Sequence, residues 1–562
     1  MKRRVKHYKR NKDGKVYSQP WIGYSFRNEN GTPDFKREVS LAGFDEETVR
    51  RIDMSLRNGI SPDTAGSVEF LNAQNIGDSW AAYCIADDLG IVRELEQFED
   101  KHGSALLAMI LDRVVQARPH SKLGLWENMP GSALERVVAP QGMPAQLHDY
   151  YTALEKIHGQ QKSIQQALLG SRETVDRMYL YDITSSYMEG TTCPLADFGY
   201  NRDGKKGKMQ IVIGLLADSD GRPLAVEVFE GNTCDQSTVM ERIDSMRQDF
   251  GIDEMVFIGD RGMVTKARRD DLQDDKYQKV KYISGLKRQE FFQFLEDQSH
   301  PLQLSLFDRQ KLVEVEYEGT RYIMSFNPEK EQEDHAIRLR LIAKTQEKLE
   351  MISRSVLAGR LKKPEAIAKR LHRWVNKWNM ERFFSYEYAE GKFTYELNQE
   401  NLRQYEAIDG FYVLITDVAE SELSTSAVRK RYKSLSQVEQ AFRTMKTTEL
   451  FMRPIRHWNP ERVRGHIFVC MLSYLIVWKA RDLFAEFISQ DEVQEDETPK
   501  TACHSLRTVW ETLAMGMQIG RLRIAGKITE QLTPLDTQTR KILAASNALP
   551  DRKKIKRLKL VG

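Results

Sequence analysis

Cysteine is scarce in this chain, and the five present (Cys84, Cys193, Cys234, Cys470 and Cys503) are scattered along it. None forms a Cys-x-x-Cys pair or a Cys/His pairing, which argues against a zinc site and against a disulfide framework. Long apolar runs are missing too. The longest, Ile467 to Trp478, is about half of what a bilayer crossing needs and reads as a buried helix. No apolar segment follows the basic N-terminus, so no secretory signal is expected, and the default location is the reducing cytoplasm, with no membrane partner. Nor does either charge sign dominate, since 84 Lys and Arg against 81 Asp and Glu leave a net charge of +3. A nucleotide-binding glycine loop, a Cys nucleophile, a Ser/His/Asp arrangement and internal repeats are all lacking.

What is present is a 562-residue chain, too long for one hydrophobic core and consistent with roughly three or four domains. A hydrophobic fraction of 41% and a charged fraction of 29% place it among ordinary soluble proteins. Charge is local rather than global. Lys2, Arg3, Arg4, Lys6, Lys9, Arg10, Lys12 and Lys15 crowd one end, and Arg552, Lys553, Lys554, Lys556, Arg557 and Lys559 the other. Such ends suit arms that touch a polyanion, and suit solubilising tails equally.

Residues 1–165 mix short strands (Trp21 to Phe26, Arg37 to Leu41) with helices (Ala105 to Ala117, His148 to His158) and form a candidate DNA-binding or dimerisation region. Over 170–280 the pattern changes to strands at Met178 to Ile183, Met209 to Ala217 and Pro223 to Phe229, a helix from near Ser237, and a strand at Glu254 to Ile258. That order is the first half of a ribonuclease-H-like fold. Residues 281–425 form a mixed insert, with hairpins around Glu318-Gly319 and Glu390-Gly391, a charged helical stretch Glu329 to Arg382, and a strand Gly410 to Thr416. Residues 426–488 return to the core, and 489–562 hold an acidic linker, a helical region and the basic tail.

Asp182 stands at the end of the first of these strands and Asp260 at the end of the fourth. If those strands are neighbours, the two carboxylates meet at one edge. Tyr432, Glu439 and Lys446 are spaced seven apart, two turns at about 100° per residue, so one continuous helix would align them on one stripe. Glu439 can then supply a third carboxylate. Three convergent carboxylates suit Mg²⁺, and two such ions would activate an attacking oxygen and stabilise a leaving one. Singly, each has a plainer reading: a strand-end Asp making local hydrogen bonds, or a solvated Glu and Lys beside a packed Tyr.

Together these residues resemble the DDE insertion-sequence transposases of the Tyr-Arg-Glu-Lys signature class. The class pattern is Tyr, two residues, Arg, three residues, Glu, six residues, Lys, and this chain departs from it only at Leu435, which stands in the Arg position. Gly199-Tyr-Asn-Arg-Asp-Gly204, Gly231-Asn-Thr-Cys-Asp235, Gly259-Asp-Arg-Gly-Met263 and Met452-Arg-Pro-Ile-Arg-His-Trp458 add to the likeness, which covers about residues 175 to 480. The resemblance implies an α/β chain: a ribonuclease-H-like core interrupted by a largely β insertion domain with a helical segment, flanked by an N-terminal α+β region and a C-terminal helical region. It implies Asp182, Asp260 and Glu439 as catalytic residues and ligands of two Mg²⁺ ions, with Mn²⁺ able to substitute. Tyr432 and Lys446 would hold a terminal phosphate. The partners implied are double-stranded DNA, as terminal inverted repeats and target, and a second copy of the chain in the synaptic complex. The activity implied is cleavage at the element's ends and joining of the 3′-hydroxyls to target DNA, by a hairpin-forming cut-and-paste route. A nuclease without strand transfer and a silent DNA-binding descendant are the competing readings. Arg443, one turn after Glu439, is a candidate to take over from the missing Arg.

Weaker signals are open both ways. Lys205, Lys206 and Lys208 suit DNA phosphates or a solvated turn. Ile367, Leu371, Trp374 and Trp378 read as core beside a basic face of Lys369, Arg373 and Lys377. Asp235 reads as a helix start sooner than as a carboxylate supporting the metal ligands. His457 and Trp458 read as either DNA contacts or a packed loop.

Overall fold

The computed structural model describes residues 3–12, 15–28, 32–58, 68–139, 146–170, 177–200, 202–233, 235–252, 254–296, 312–378, 380–389, 391–488, 505–524, 527–551, 558 and 560. Lys2, the acidic linker 491–497 and the basic residues 552–557 and 559 lie outside the described residues, as do the side chains of Lys9, Arg10, Lys12, Lys15 and Asp235. By internal contacts the chain forms two compact units. One comprises Met1–Ile252 with Ser436–Gly562, the other Asp253–Leu435.

Alternation of apolar and polar residues builds the first sheet. Arg3–Lys12 (β1), Lys15–Arg27 (β2) and Pro33–Ser40 (β3) pair antiparallel in that order. Val5, Ile22 and Val39 share one face and bury it against Val49 and Ile52 of helix α1 (Glu46–Asn58) and against Leu522. The basic N-terminus, expected as an arm, is therefore an edge strand from Arg3 onward, because every second residue is needed by the pleat rather than by solvent. Strand β4 (Val68–Asn75) follows.

Helices α2 (Asp100–Val115) and α3 (Leu147–Gly159) lead to three antiparallel strands, β5 (Met178–Tyr187), β6 (Gln210–Asp218) and β7 (Pro223–Phe229), and then to helix α4 (Asp235–Phe250). Most residues of β5 and β6 are buried, which accounts for the nearly continuous apolar sequence of β6 and of the first half of β5.

The second unit opens with β8 (Met255–Gly259) and β9 (Val280–Gly285), which pair in parallel. The hairpin β10 (Leu312–Tyr317) and β11 (Thr320–Phe326) turns on Glu318 and Gly319, both at positive φ (49° and 72°), as a two-residue hairpin loop requires. Helices α5 (Pro328–Leu357) and α6 (Pro364–Val375) follow, then a second hairpin, β12 (Phe384–Ala389) and β13 (Lys392–Leu397). Asn327 caps α5 by accepting from the Glu329 and Lys330 amides, with Pro328 in the first turn. Strand β14 (Phe411–Thr416) pairs with both β11 and β9, so β10, β11, β14, β9 and β8 form a mixed sheet, and helix α7 (Thr425–Lys433) closes the unit. Ile367, Leu371 and Val375 pack with Leu349, Ile352 and Phe393, and Trp374 and Trp378 lie against that cluster. The apolar stripe is core. The segment expected to be largely β contains more helix than strand among the described residues, since α5 alone runs for 30 residues.

Back in the first unit come α8 (Leu435–Arg443) and α9 (Pro460–Leu483), then β15 (Gln518–Ile524) and β16 (Lys527–Leu532). Helix α9 is long and apolar enough to cross a membrane by length and composition, but 83% of its apolar window is buried within the fold. It packs on α2, α3 and β7. The C-terminal region, expected to be helical, holds helices over Leu506–Gly516 and Thr537–Ala545 and, between them, the hairpin β15–β16, whose β15 pairs with β4 from the other end of the chain. That partner lies too far along the chain for any local pattern to show it.

Helix α9 meets α3 at Gly465. A Cβ there would stand 2.0 Å from the Leu154 carbonyl oxygen, so the two backbones touch only because residue 465 has no side chain. Gly465→Ala is expected to destabilise the protein by about 1–3 kcal/mol, read as a lower denaturation midpoint at unchanged slope. An unchanged midpoint would show that this crossing does not set the packing.

Candidate active site

Asp182 is not at a strand end. It is the fifth of the ten residues of β5, half-buried and opposite Leu215 of β6, and its Oδ1 accepts from the Ile183 amide at 2.8 Å. The strand runs beyond the expected Ile183 because Thr184 to Tyr187 continue the ladder with Ile213 to Gln210. Alternation puts Thr184 on the same face of β5 as Asp182, about 6.6 Å further along.

Onto that face comes Lys446. Its Nζ donates to Thr184 Oγ1 at 2.6 Å, to the Ser185 carbonyl at 2.5 Å and to Asp203 Oδ1 at 3.0 Å, and the residue is only 8% exposed. Asp203 also receives Arg453 Nη1 at 2.5 Å and the Tyr187 amide at 3.1 Å. Burial would raise the Asp203 carboxyl, but Lys446 and Arg453 beside it hold it below its ordinary value. The two partners shift in ways that disagree about the pair, since burial lowers the Lys446 ammonium despite Asp203. Geometry favours the ionised pair: the ammonium has three acceptors and the carboxylate two cationic donors. Lys446 thus sits beside Asp182 with its donors engaged inside the protein.

The loop that brings Asp203 is built on backbone contact. A Cβ on Gly199 would meet the Gly231 carbonyl at 2.2 Å, and one on Gly231 the Gln210 carbonyl at 2.0 Å. Ser185 Oγ accepts from the Arg202 amide at 2.9 Å. Arg453 is held similarly, because Ile455 bridges to Met188 and the Met452 carbonyl meets His466 Nε2 at 3.0 Å. His457 packs edge-on against Tyr151 and tilted against His466, and burial, then Lys122, lowers its imidazole to about 3, so it is a packed, neutral ring. Trp458 is 62% exposed. Lys208 pairs with Glu189 at 2.6 Å and Lys205 stands over the Tyr187 ring.

The run from Tyr432 to Lys446 is not one helix. Helix α7 ends at Lys433, α8 spans Leu435–Arg443, and Thr444–Thr448 form a π-helical turn that carries Lys446. The seven-residue stripe is broken twice, and the reason is packing. Leu435, Val438, Ala441, Phe442 and Met445 are all buried, and seating them turns Glu439 and Arg443 outward together. Leu435, at 7% exposure, fills a buried position where the class pattern has a cation.

In the second unit Asp260 directly follows β8, as expected, and is exposed. Its Oδ1 accepts from the Arg261 amide at 2.7 Å, and its carbonyl receives the Met263 amide at 2.9 Å and Ser284 Oγ at 3.3 Å, which pin the turn to β9. Tyr432 belongs to this unit. A Cβ on Gly285 would lie 2.8 Å from its hydroxyl and 3.4 Å from Arg261 Cβ, so the phenol rests on bare backbone beside the Asp260 turn. Tyr432, Arg261, Arg288 and Lys330 line a cavity of about 290 Å³ floored by Phe291 and Ile408. Asp334, paired with Arg288 at 3.0 Å and Lys330 at 3.4 Å, is the one acid among its lining residues, which leaves the cavity net positive.

The structure therefore brings Lys446 to Asp182, and Tyr432 to Asp260. Among the described residues no three His, Cys, Asp or Glu side chains are gathered closely enough to hold one cation. Sequence reasoning missed Thr184, Arg288 and Lys330 altogether. Asp203, Arg453 and Arg261 lay in quoted motifs, but nothing in their spacing tied them to Lys446 or Tyr432.

The family model described as the transposase DDE domain matches residues 174–476. No curated protein matches the chain. Among solved structures, the cryo-EM structure of the piggyBac transposase synaptic complex with hairpin DNA is similar at a TM-score of 0.35 and 8% identity. The likeness covers 86% of this chain and 84% of that one, and at such a score it carries no weight for this chain.

Proposed function

Because the chain belongs to the DDE transposase family, we propose that it cleaves DNA at the ends of an insertion sequence and joins the freed 3′-hydroxyls to target DNA by metal-dependent phosphoryl transfer. The observation that carries this reading is that the matched segment, 174–476, contains Asp182 within β5, Asp260 directly after β8 and Glu439 within α8. The order β5, β6, β7, α4, β8 supports a ribonuclease-H-like core.

The three carboxylates would hold divalent ions. Their donor set is oxygen only, with no thiolate or imidazole, which fits Mg²⁺, two ions being expected and Mn²⁺ substituting. Bound there, the ions would supply Lewis-acid neutralisation of the charge that develops on the transferring phosphate. The remaining work belongs to the chain's own groups. The Asp182 strand is held in place by Lys446 through Thr184 and Ser185. The positive cavity with Tyr432, Arg261, Arg288 and Lys330 takes a terminal phosphate of the transferred strand, and Arg443 takes a neighbouring one from the exposed face of α8. The Tyr-Arg-Glu-Lys class follows from the same residues, with Leu435 as its departure. Two ends must be synapsed, so the working complex is a homodimer on terminal inverted repeats, acting in the cytoplasm.

The test incubates the full chain and Mg²⁺ with duplexes bearing the inverted repeats that flank its coding sequence, plus supercoiled target. End-cleaved and target-joined products are expected, and chelation with EDTA should remove both. Cleavage without joining would replace this reading with a nuclease. Neither product, with DNA still bound, would mean a silent descendant.

A further inference from the structure

The outer face of the sheet β1–β2–β3 combines cations with aromatic rings. Register places Arg4, Lys6 and Tyr8 of β1, Trp21, Gly23, Ser25 and Arg27 of β2, and Phe35 and Arg37 of β3 on the side opposite Val5, Ile22 and Val39. A bulge between Ile22 and Gly23 shifts β3 by one residue, which turns Arg37 to this side. Gly23 leaves the middle of the face open, and the Phe35 ring lies across it, 2.8 Å from where a Cβ would be. The cations then settle over the rings. Arg4 stands 5.8 Å and Lys6 5.4 Å from the Phe35 centroid, and Arg37 stands 5.0 Å from Tyr8 and 5.6 Å from Trp21. Arg4 also donates to Ser25 Oγ at 2.6 Å.

Register assigns no Asp or Glu to this face among the described residues, Glu38 sitting in the bulge without a partner, although Asp34, Glu38 and Asp536 line one cavity with Tyr8, Phe35 and Arg37. Asp34 lies opposite Phe26 on the other side, and Glu38 is occupied by Arg3 at 2.7 Å. Arg4, Lys6 and Arg37 are exposed, whereas Tyr8 and Trp21 are half-buried and Phe35 is 5% exposed. The rings are therefore covered by their own cations. That disfavours base stacking, which needs open ring faces, and favours phosphate binding, because each cation is already held in place by its ring and loses little freedom on contact.

We infer that this sheet face is a duplex-DNA backbone contact of the protein, gripping phosphates through Arg4, Lys6 and Arg37 without reading sequence. The choice of DNA rests on the transposase reading; the polyanion preference rests on charge complementarity alone. Phosphate contacts of this kind fix position and raise affinity for any sequence.

The test is fluorescence anisotropy of the full chain on a labelled random-sequence duplex without divalent metal, across a salt series. Arg4→Ala, Lys6→Ala and Arg37→Ala combined should weaken binding about 10–100-fold and flatten the log–log salt slope by about 2–3, near 0.9 per lost phosphate. The melting temperature should be unchanged, and a variant with Arg4→Lys and Arg37→Lys should keep the wild-type slope. Wild-type binding whose slope the triple change leaves untouched would overturn the sheet contact while sparing the transposase reading. A wild-type chain that binds no duplex would sink both. A preference for single strands lost with Trp21→Ala would overturn backbone gripping in favour of stacking.

Discussion

Asp182→Asn is expected to lower the rate of end cleavage by at least about 10³-fold, roughly 4 kcal/mol of transition-state stabilisation, with DNA affinity essentially kept. The amide matches the carboxylate in shape and can still accept the Ile183 amide, so β5 and its ladder to β6 should survive. What is lost is the negative charge, and with it, under the proposed function, the affinity for a divalent ion in a reaction that asks the protein mainly for positioning and charge neutralisation. Asp260→Asn and Glu439→Gln should do the same from their exposed positions, and combining them should add little, because residues that serve one centre act as a unit. Gel-resolved single-turnover cleavage measures each. A substitution that leaves the rate at the wild-type value removes that residue from the centre. Arg443→Ala should be milder, weakening end binding and lowering the salt slope by about 1. Unchanged affinity and unchanged strand transfer would show that the Leu435 departure is not compensated from α8.

Asp203→Leu is expected to cost about 3–5 kcal/mol of stability, because it strands the buried Lys446 and the half-buried Arg453 without their shared counter-charge. The Asp203 side chain, 3% exposed, is enclosed by these donors and the Tyr187 amide, so no solvent can replace it cheaply. The sign of the pH dependence follows. A carboxyl held below its ordinary value stabilises the fold above the usual carboxylate range, and that contribution disappears as the pH falls through the lowered native value. In the variant the corresponding acid-side loss should be missing. Chemical denaturation at neutral and acidic pH reads both effects. Lys446→Met separates two roles for the lysine: it should lower stability less than Asp203→Leu, since Arg453 still neutralises Asp203. If it also leaves DNA affinity and its salt slope untouched, the lysine positions Asp182 rather than holding phosphate. A normal stability with weakened DNA binding would reverse that assignment.

How far the site could be read in advance differs from residue to residue. Asp260 at the end of β8 was legible, because a short apolar strand followed by Gly-Asp-Arg-Gly is a local signal. The hairpin on Glu318-Gly319 was legible for the same reason, as was the pairing of β12 with β13, whose expected turn residue Glu390 lies outside the described residues. Asp182 was placed at a strand end because the apolar run stops at Ile183, but Thr184 to Tyr187 extend the strand by pairing with β6, and pairing leaves no mark in composition. The stripe of Tyr432, Glu439 and Lys446 was arithmetically sound for an unbroken helix. It failed because the apolar positions from Leu435 to Met445 had to be buried, and a helix break and a π turn were the means.

By itself the sequence determined everything that depends on near neighbours: the alternation that makes the strands, the turn glycines, the apolar middle of α9, and the acidic residues with the motifs that mark the family. Only the tertiary structure decided what depends on residues far apart. It turned the basic N-terminus into a sheet face, joined β15 to β4, delivered the Lys446 ammonium to Asp203 across more than two hundred positions, and set Tyr432 against Gly285. The physical reason is the range of the forces. Backbone preference and hydrophobic period act within a few residues, whereas burial of a charge and close backbone approach are satisfied by whichever partner the fold brings near.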